Sequence, residues 1–106
     1  MDFQQVIARA MEIRKLYEAQ ETQLYGSPWT SEEIALGFVG DVGDLAKLVI
    51  AENGKRTIPD SKEKLGHELA DCLWSILVLA NSHDVDIEKS FIQTMNQLEK
   101  HLLENE

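Results

Sequence analysis

The segment from about Asp60 to Ser82 constrains the fold most, because as a helix it would be apolar on most of its circumference. Its large apolar residues fall on most sides of such a helix: Leu65, Leu69, Leu73, Trp74, Ile76, Leu77, Val78 and Leu79. Such a helix has to be covered on several sides, and a chain of 106 residues offers few other helices to cover it. The pattern therefore predicts a homo-oligomer, in which another copy of the chain covers part of this helix.

Two helices are predicted before this segment. Apolar residues at helical spacing run from about Phe3 to Glu21. The stretch "YGSPW" then interrupts the pattern with glycine and proline. Thr30 and Glu33 have capping-box spacing, which predicts a second helix from this point to about Glu52.

The remaining signals are also helical. Asp60 and Glu63 repeat the capping-box spacing before the third helix, and Asp86 is the expected N-cap of a fourth helix that reaches the C-terminal tail. No segment alternates as a strand does. We therefore expect an all-α fold, a four-helix bundle with antiparallel neighbours, forming a single domain over residues 1–106 and completed by homo-oligomerisation.

The composition argues against several functions. A net charge of −9 is unsuited to binding nucleic acid or an anionic membrane surface. The longest apolar run, "CLWSILVLA", is too short to span a bilayer, and the first residues lack the features of a signal peptide, so we expect a cytoplasmic protein. Cys72, the single cysteine, lies in this run and is expected to be a small core residue.

Two pairs of carboxylates interrupt helix faces that are otherwise apolar. Asp41 and Asp44 lie within and at the edge of the apolar stripe of the second helix, and Glu68 and Asp71 lie on the apolar third helix. Each pair has i,i+3 spacing, so its two side chains project from the same side. Antiparallel packing of two helices joined by a short turn would bring the pairs face to face.

Four converging carboxylates would either bind protons or bind cations, because unpaired buried charges cost several kcal/mol each. A site made only of carboxylate oxygens suits Mg²⁺ or Mn²⁺ and predicts metal-assisted chemistry on a phosphate compound. A di-iron site is disfavoured, since neither pair ends in histidine. The spacing leaves an alternative open, in which the acids are solvated or form salt bridges with Lys47 and Lys64.

Two stretches of the chain resemble a known family. "EEIALGFVGDVGDLAKLV" and "KLGHELADCLWSILVLANSHDVDIEKSF" are similar to the MazG-like all-α nucleoside triphosphate pyrophosphohydrolases. The similarity is greatest to the small single-domain branch that includes dCTP pyrophosphatases. The sequence from Glu68 to Asp71 matches the family's Glu-x-x-Asp element, and the resemblance covers about residues 30 to 96.

The resemblance implies a Mg²⁺-dependent enzyme that cleaves a nucleoside triphosphate to the monophosphate and pyrophosphate, with a house-cleaning role in the nucleotide pool. Asp41, Asp44, Glu68 and Asp71 would hold the metal ions, and one of these carboxylates would help to activate the attacking water. Members of the family form dimers, or tetramers made of two dimers, with active sites lined by more than one subunit.

Three of the substrate-binding candidates follow from the same resemblance, and the fourth, Lys47, follows from its charge and its position. Tyr25 and Trp29 lie where related enzymes place aromatic or histidine groups near the base. Ser75 stands where related enzymes often have tyrosine. Lys47 is one of the basic residues close enough in sequence to contact a polyphosphate.

The first acidic pair departs from the family, which has Glu-x-x-Glu where this chain has Asp41 and Asp44. Aspartate is one methylene shorter, so the helix backbone would have to come closer to the metal, and Gly37, Gly40 and Gly43 are expected to permit that approach.

The last helix also departs from the family, because Thr94, Gln97 and Leu98 occupy the places of lysine and asparagine residues that contact substrate. Two alternatives to an enzyme are open, and these departures favour the first of them. One is a non-catalytic helical oligomer that binds a nucleotide or a protein. The other is an acidic helical interaction module without a metal.

Overall fold

The computed structural model describes residues 1–104, which form four α-helices connected by short loops. They are α1 (Phe3–Tyr25), α2 (Ser31–Glu52), α3 (Ser61–Ser82) and α4 (Ile87–Glu104). No strand occurs in this part of the chain, so the all-α prediction is confirmed. None of these helices is long and apolar enough to cross a membrane.

Helix α1 continues four residues beyond its predicted end at Glu21. Its last residue is Tyr25, and Gly26 follows with a left-handed φ of 87°. The Gly26 N–H donates to the Thr22 carbonyl at 2.9 Å, which satisfies an otherwise unpaired carbonyl of the last turn. Glycine, rather than the polar residues before it, therefore ends this helix.

The predicted capping box of α2 is formed. The Glu33 N–H donates to Thr30 Oγ1 at 3.2 Å, and the Thr30 N–H donates to Glu33 Oε1 at 3.0 Å. These two bonds satisfy backbone donors at the start of the helix. At the start of α4, the predicted N-cap Asp86 accepts a hydrogen bond from the Lys89 N–H at 3.0 Å.

The predicted capping box of α3 is not formed, although Asp60 does precede the helix. Asp60 has a left-handed φ of 54°, and its side chain makes no capping hydrogen bond. A capping side chain normally requires an extended N-cap backbone, from which its oxygen reaches the N–H groups of the first turn. The box was wrongly predicted because the spacing to Glu63 is present without that backbone conformation.

Helices α2 and α3 form the main packed pair and run antiparallel. Ser61 Oγ donates to Glu52 Oε1 at 3.0 Å where the two helices are joined, and Asp41 lies opposite Asp71 near their middles. Helix α1 packs less extensively against α3. The core is small and consists of the following buried residues: Ala10, Ile34, Leu48, Cys72, Leu77, Val78 and Ala80. The buried position predicted for Cys72 is thereby confirmed.

Helix α4 makes few contacts with the rest of the chain and buries none of its residues. One link joins it to α1, where Gln4 Nε2 donates to Glu88 Oε1 at 2.6 Å. Helix α3 is covered only in part, since Leu69 and Leu73 are 51 % and 44 % exposed. The radius of gyration is 17.0 Å, whereas about 13 Å is usual for a compact chain of this length.

Candidate metal centre

Three of the four predicted carboxylates converge between α2 and α3. One oxygen each from Asp41, Asp44 and Glu68 lies within 4.8 Å of the other two. Asp41 and Glu68 are half-buried, and Asp44 is exposed. Antiparallel packing causes the convergence, because it sets the i,i+3 face of one helix against that of the other.

One oxygen of Glu68 has no hydrogen-bond partner. Oε2 is buried, and no donor among the described residues reaches it. Buried polar atoms in proteins are nearly always hydrogen-bonded, so an unpartnered carboxylate oxygen points to a group that the protein chain itself does not supply. A bound cation would satisfy this oxygen together with those of Asp41 and Asp44.

The electrostatics of the cluster also favour a cation. Burial raises the pKa of Glu68, and the negative charges of Asp41, Asp71 and Asp44 raise it further, while nearby His67 partly lowers it. Burial likewise raises the pKa of Asp41, and the charges of Asp71 and Asp44 add to that rise. The carboxylates therefore repel one another at neutral pH, and a divalent cation would relieve the repulsion.

The salt-bridge alternative does not account for these acids. Among residues 1–104, neither Lys47 nor Lys64 forms an ion pair within 4.0 Å of the cluster. The half-burial of Asp41 and Glu68 also sets them apart from solvated surface acids.

Asp71 lies beside the converging trio rather than within it. Its Oδ2 is 3.2 Å from Nε2 of His67, one turn earlier on α3. The carboxylate is still close enough to Asp41 to contribute to the raised pKa of that residue. Asp71 is thus the member of the predicted set that already has a protein partner.

The glycines of α2 are not points of close contact with α3. A Cβ added at Gly40 or Gly43 would meet no atom within 4 Å, so α3 does not approach the α2 backbone through these positions. At Gly37 the nearest atom is Cζ3 of Trp29, at 3.7 Å from the added Cβ. The shorter aspartate side chains converge with Glu68 without a close backbone contact at these glycines.

Two adjoining cavities open beside the cluster, with volumes of about 450 Å³ and 230 Å³. Both are lined by Asp41, Tyr17, Trp74 and Ser75. The Tyr17 and Trp74 rings are in contact, with centroids 5.5 Å apart, and Trp74 Nε1 donates to the Ala10 carbonyl at 3.1 Å. Asp41, and Asp71 in the larger cavity, therefore face an aromatic-walled space large enough to admit a ligand.

The four predicted substrate-binding residues occupy different surroundings. Trp29 lines the smaller cavity together with Asp41, and Ser75 is buried where the two cavities meet. Tyr25 is 71 % exposed at the end of α1, and Lys47 is exposed on α2; neither is among the residues that line these two cavities. The structure thus places Trp29 and Ser75 beside Asp41, whereas Tyr25 and Lys47 are exposed and lie outside these two cavities.

Sequence reasoning missed the contribution of α1 to the cavities. Arg14 and Glu21 line the smaller cavity, and their side chains form an ion pair at 3.3 Å with each only 12 % exposed. A signal was present, because both charges lie at helical spacing from Ala10 and Tyr17, on one face of α1. Like Asp41 and Asp44, these two charges interrupt a helix face that also carries apolar residues.

Comparison with known families gives an independent result. Residues 29–101 match the model of the MazG nucleotide pyrophosphohydrolase domain. That span contains α2, α3 and all four carboxylates, and it covers more than half of the chain. The chain has no significant match among curated proteins or among solved structures. The extent of the domain match shows that this chain belongs to the MazG nucleotide pyrophosphohydrolase family.

Proposed function

We propose that this chain hydrolyses a nucleoside triphosphate between its α and β phosphates, releasing the monophosphate and pyrophosphate, with Mg²⁺ or Mn²⁺ as cofactor. Membership of the family supports nucleotide pyrophosphohydrolase activity in general, and favours an enzyme over a non-catalytic binding protein. The observation that carries the finer proposal is the convergence of Asp41, Asp44 and Glu68 around an unpartnered buried oxygen of Glu68.

In this proposal the four carboxylates Asp41, Asp44, Glu68 and Asp71 hold the metal. When bound, a divalent cation offsets the charge of the triphosphate and lowers the pKa of water. We propose that one of the two half-buried carboxylates, Asp41, which lines both cavities, or Glu68, accepts the proton of the attacking water. The contact with His67 orients Asp71 at the edge of the larger cavity.

The cavity walls suit the rest of the nucleotide. Aromatic side chains stack on nucleobases, and Trp29 and Trp74 line the smaller cavity next to Asp41. Ser75 offers a hydroxyl between the two cavities for the sugar or a phosphate. Lys47 and Tyr25 are exposed, and in this proposal they contact the substrate from outside the cavities, with Lys47 one turn beyond Asp44 on α2.

Self-association is part of the proposal, as a homodimer or a tetramer made of two dimers. The accessible surface of the chain is 8081 Å², about 2,000 Å² more than is usual for a compact monomer of 12.0 kDa. A standard interface buries about 800 Å² per partner. Exposed apolar residues follow one face of α4, namely Phe91, Met95, Leu98 and Leu102. A second copy of the chain would cover this face.

The setting that we propose is the cytoplasm, where the enzyme would remove surplus or non-standard nucleotides. A net charge of −9 supports free nucleotides, rather than nucleic acid, as the substrate class, because polynucleotide binding requires clustered basic residues.

Pyrophosphate release tests the proposal directly. The purified protein is incubated with a panel of ribo- and deoxyribonucleoside triphosphates and Mg²⁺ or Mn²⁺, and pyrophosphate is measured. We expect release from at least one triphosphate, and a loss of about 100-fold or more in the Asp41→Asn and Glu68→Gln variants. Glu32→Gln, which neutralises an exposed acid in the first turn of α2, is the matched control and should retain activity.

Two results would contradict the proposal. Metal and nucleotide binding by calorimetry without pyrophosphate release would support the non-catalytic alternative. Absence of metal binding would support an acidic interaction module.

A further inference from the structure

A largely buried ion pair on α1, in which each side chain is 12 % exposed, holds the backbone of Trp29 at both of its polar groups. Arg14 Nη2 donates to the Trp29 carbonyl at 2.7 Å, and the Trp29 N–H donates to Glu21 Oε1 at 2.8 Å. The same Glu21 oxygen accepts from Arg14 Nη1 at 3.3 Å. The two side chains therefore form a clasp, made of Arg14 and Glu21, around one residue of the α1–α2 loop.

The clasp is not needed to begin α2. The first turn of that helix is capped by Thr30 and Glu33, which bond each other's backbone N–H groups. The clasp instead acts one residue earlier, on Trp29, whose ring lies against Gly37 and lines the smaller cavity with Asp41. Fixing both polar groups of the Trp29 backbone restricts where its ring can lie.

General stability does not explain the clasp either. Burying an ion pair costs desolvation, and an apolar pair of similar volume often stabilises a protein equally well. Arg9 and Glu12 supply the comparison on the same helix, with a 2.9 Å ion pair whose side chains are 63 % and 64 % exposed. What distinguishes the buried pair is its geometry relative to Trp29.

We propose that Arg14 and Glu21 are positioning residues that fix Trp29 as one wall of the base-binding cavity and thereby set the preference among nucleotide bases. The inference rests on the proposed function, because it takes the cavity beside Asp41 to bind the base. It adds a determinant on α1, which precedes the residues 29–101 that match the family.

The test compares binding of a base with binding of a phosphate group that carries no base. Calorimetry with Mg²⁺ measures the affinities for the four α,β-imido deoxynucleoside triphosphates and for pyrophosphate. Arg14→Lys keeps the charge but loses the forked pair of donors. We expect Arg14→Lys to reduce the ratio between the affinities for the best-bound and the worst-bound triphosphate by about tenfold. The affinity for pyrophosphate should change by less than about twofold. Arg9→Lys, the matched control, should change neither value.

A second variant controls for the possibility that the chain misfolds when one charge of this largely buried pair is left without its partner. The double substitution Arg14→Met with Glu21→Leu leaves no charge behind and should reduce the ratio between bases to the same extent. In both variants, hydrogen exchange at the Trp29 amide should be faster than in the wild type, because its acceptor is lost or displaced.

Several outcomes would overturn the inference. One is an unchanged ratio between bases in both variants, and another is a loss of pyrophosphate affinity as large as the loss for the triphosphates. Equal affinity of the wild type for all four bases would also overturn it while leaving the proposed function intact. A wild type that binds neither triphosphate nor pyrophosphate contradicts the proposed function itself.

Discussion

In the proposed metal site, Asp41 and Glu68 are the residues at which function and stability oppose each other. Burial, and then the neighbouring negative charges, raise the pKa of both carboxyls in the folded chain. A group whose pKa is raised by folding stabilises the protein below its unfolded pKa, and this contribution is lost as the pH rises through the folded value. Without metal, the cluster should therefore lower stability at neutral pH more than in acid.

Neutralising Asp41 should relieve this repulsion. We expect Asp41→Asn to raise the Tm of the metal-free protein at pH 7.5 by about 4 °C, which corresponds to a free energy of unfolding higher by on the order of 1 kcal/mol. At about pH 3.5 the carboxyls are largely protonated in the folded chain, so the gain should be much smaller. Thermal unfolding in a chelator at the two pH values measures the difference.

Metal and a surface acid provide the controls for this prediction. Saturating Mg²⁺ should raise the Tm of the wild type at pH 7.5 and leave that of Asp41→Asn nearly unchanged. Glu32→Gln on the exposed first turn of α2 should behave as the wild type does. A Tm of Asp41→Asn equal to or below that of the wild type in chelator at pH 7.5 would contradict the prediction.

At the scale of the helices, α2 and α3 begin differently although their sequences have the same capping-box spacing. We expect Thr30→Ala to lower the free energy of unfolding by about 1 kcal/mol, because it removes the side chain that caps α2. Asp60→Gly should change it by less than about 0.5 kcal/mol, since Asp60 makes no capping bond and glycine adopts its positive φ without strain. Urea denaturation of both variants distinguishes them, and equal losses would show that Asp60 also caps its helix in solution.

Local periodicity explains why the helices and the carboxylates could be predicted from the sequence. The interrupted apolar stripes located Asp41, Asp44 and Glu68, and antiparallel packing then brought them together. The left-handed backbone of Asp60 could not be predicted, because capping-box spacing does not specify the conformation of the N-cap. The contact of Arg14 with Trp29 depends on the loop folding back across fifteen residues, which no short-range pattern encodes.

At the scale of the whole molecule, the position of α4 is the feature that a single chain explains least well. The helix has a continuous apolar face and yet contributes no buried residue to its own chain. Helix α3 likewise has apolar residues that its own chain leaves exposed, such as Leu69 and Leu73. A hydrophobic core shared between copies of the chain would explain the exposed apolar residues of both helices. Apolar area of this extent is normally removed from water.

A charge placed on the apolar face of α4 should therefore weaken self-association. We expect the wild type to elute in light-scattering chromatography at twice the chain mass of 12.0 kDa or more, and Leu98→Glu to shift it towards the monomer. Gln93→Glu adds the same charge on the other side of the helix and should leave the assembly intact. A wild type that remains monomeric at about 100 μM would contradict the shared core. An equal shift of both variants towards the monomer would assign the effect to net charge rather than to this face of α4.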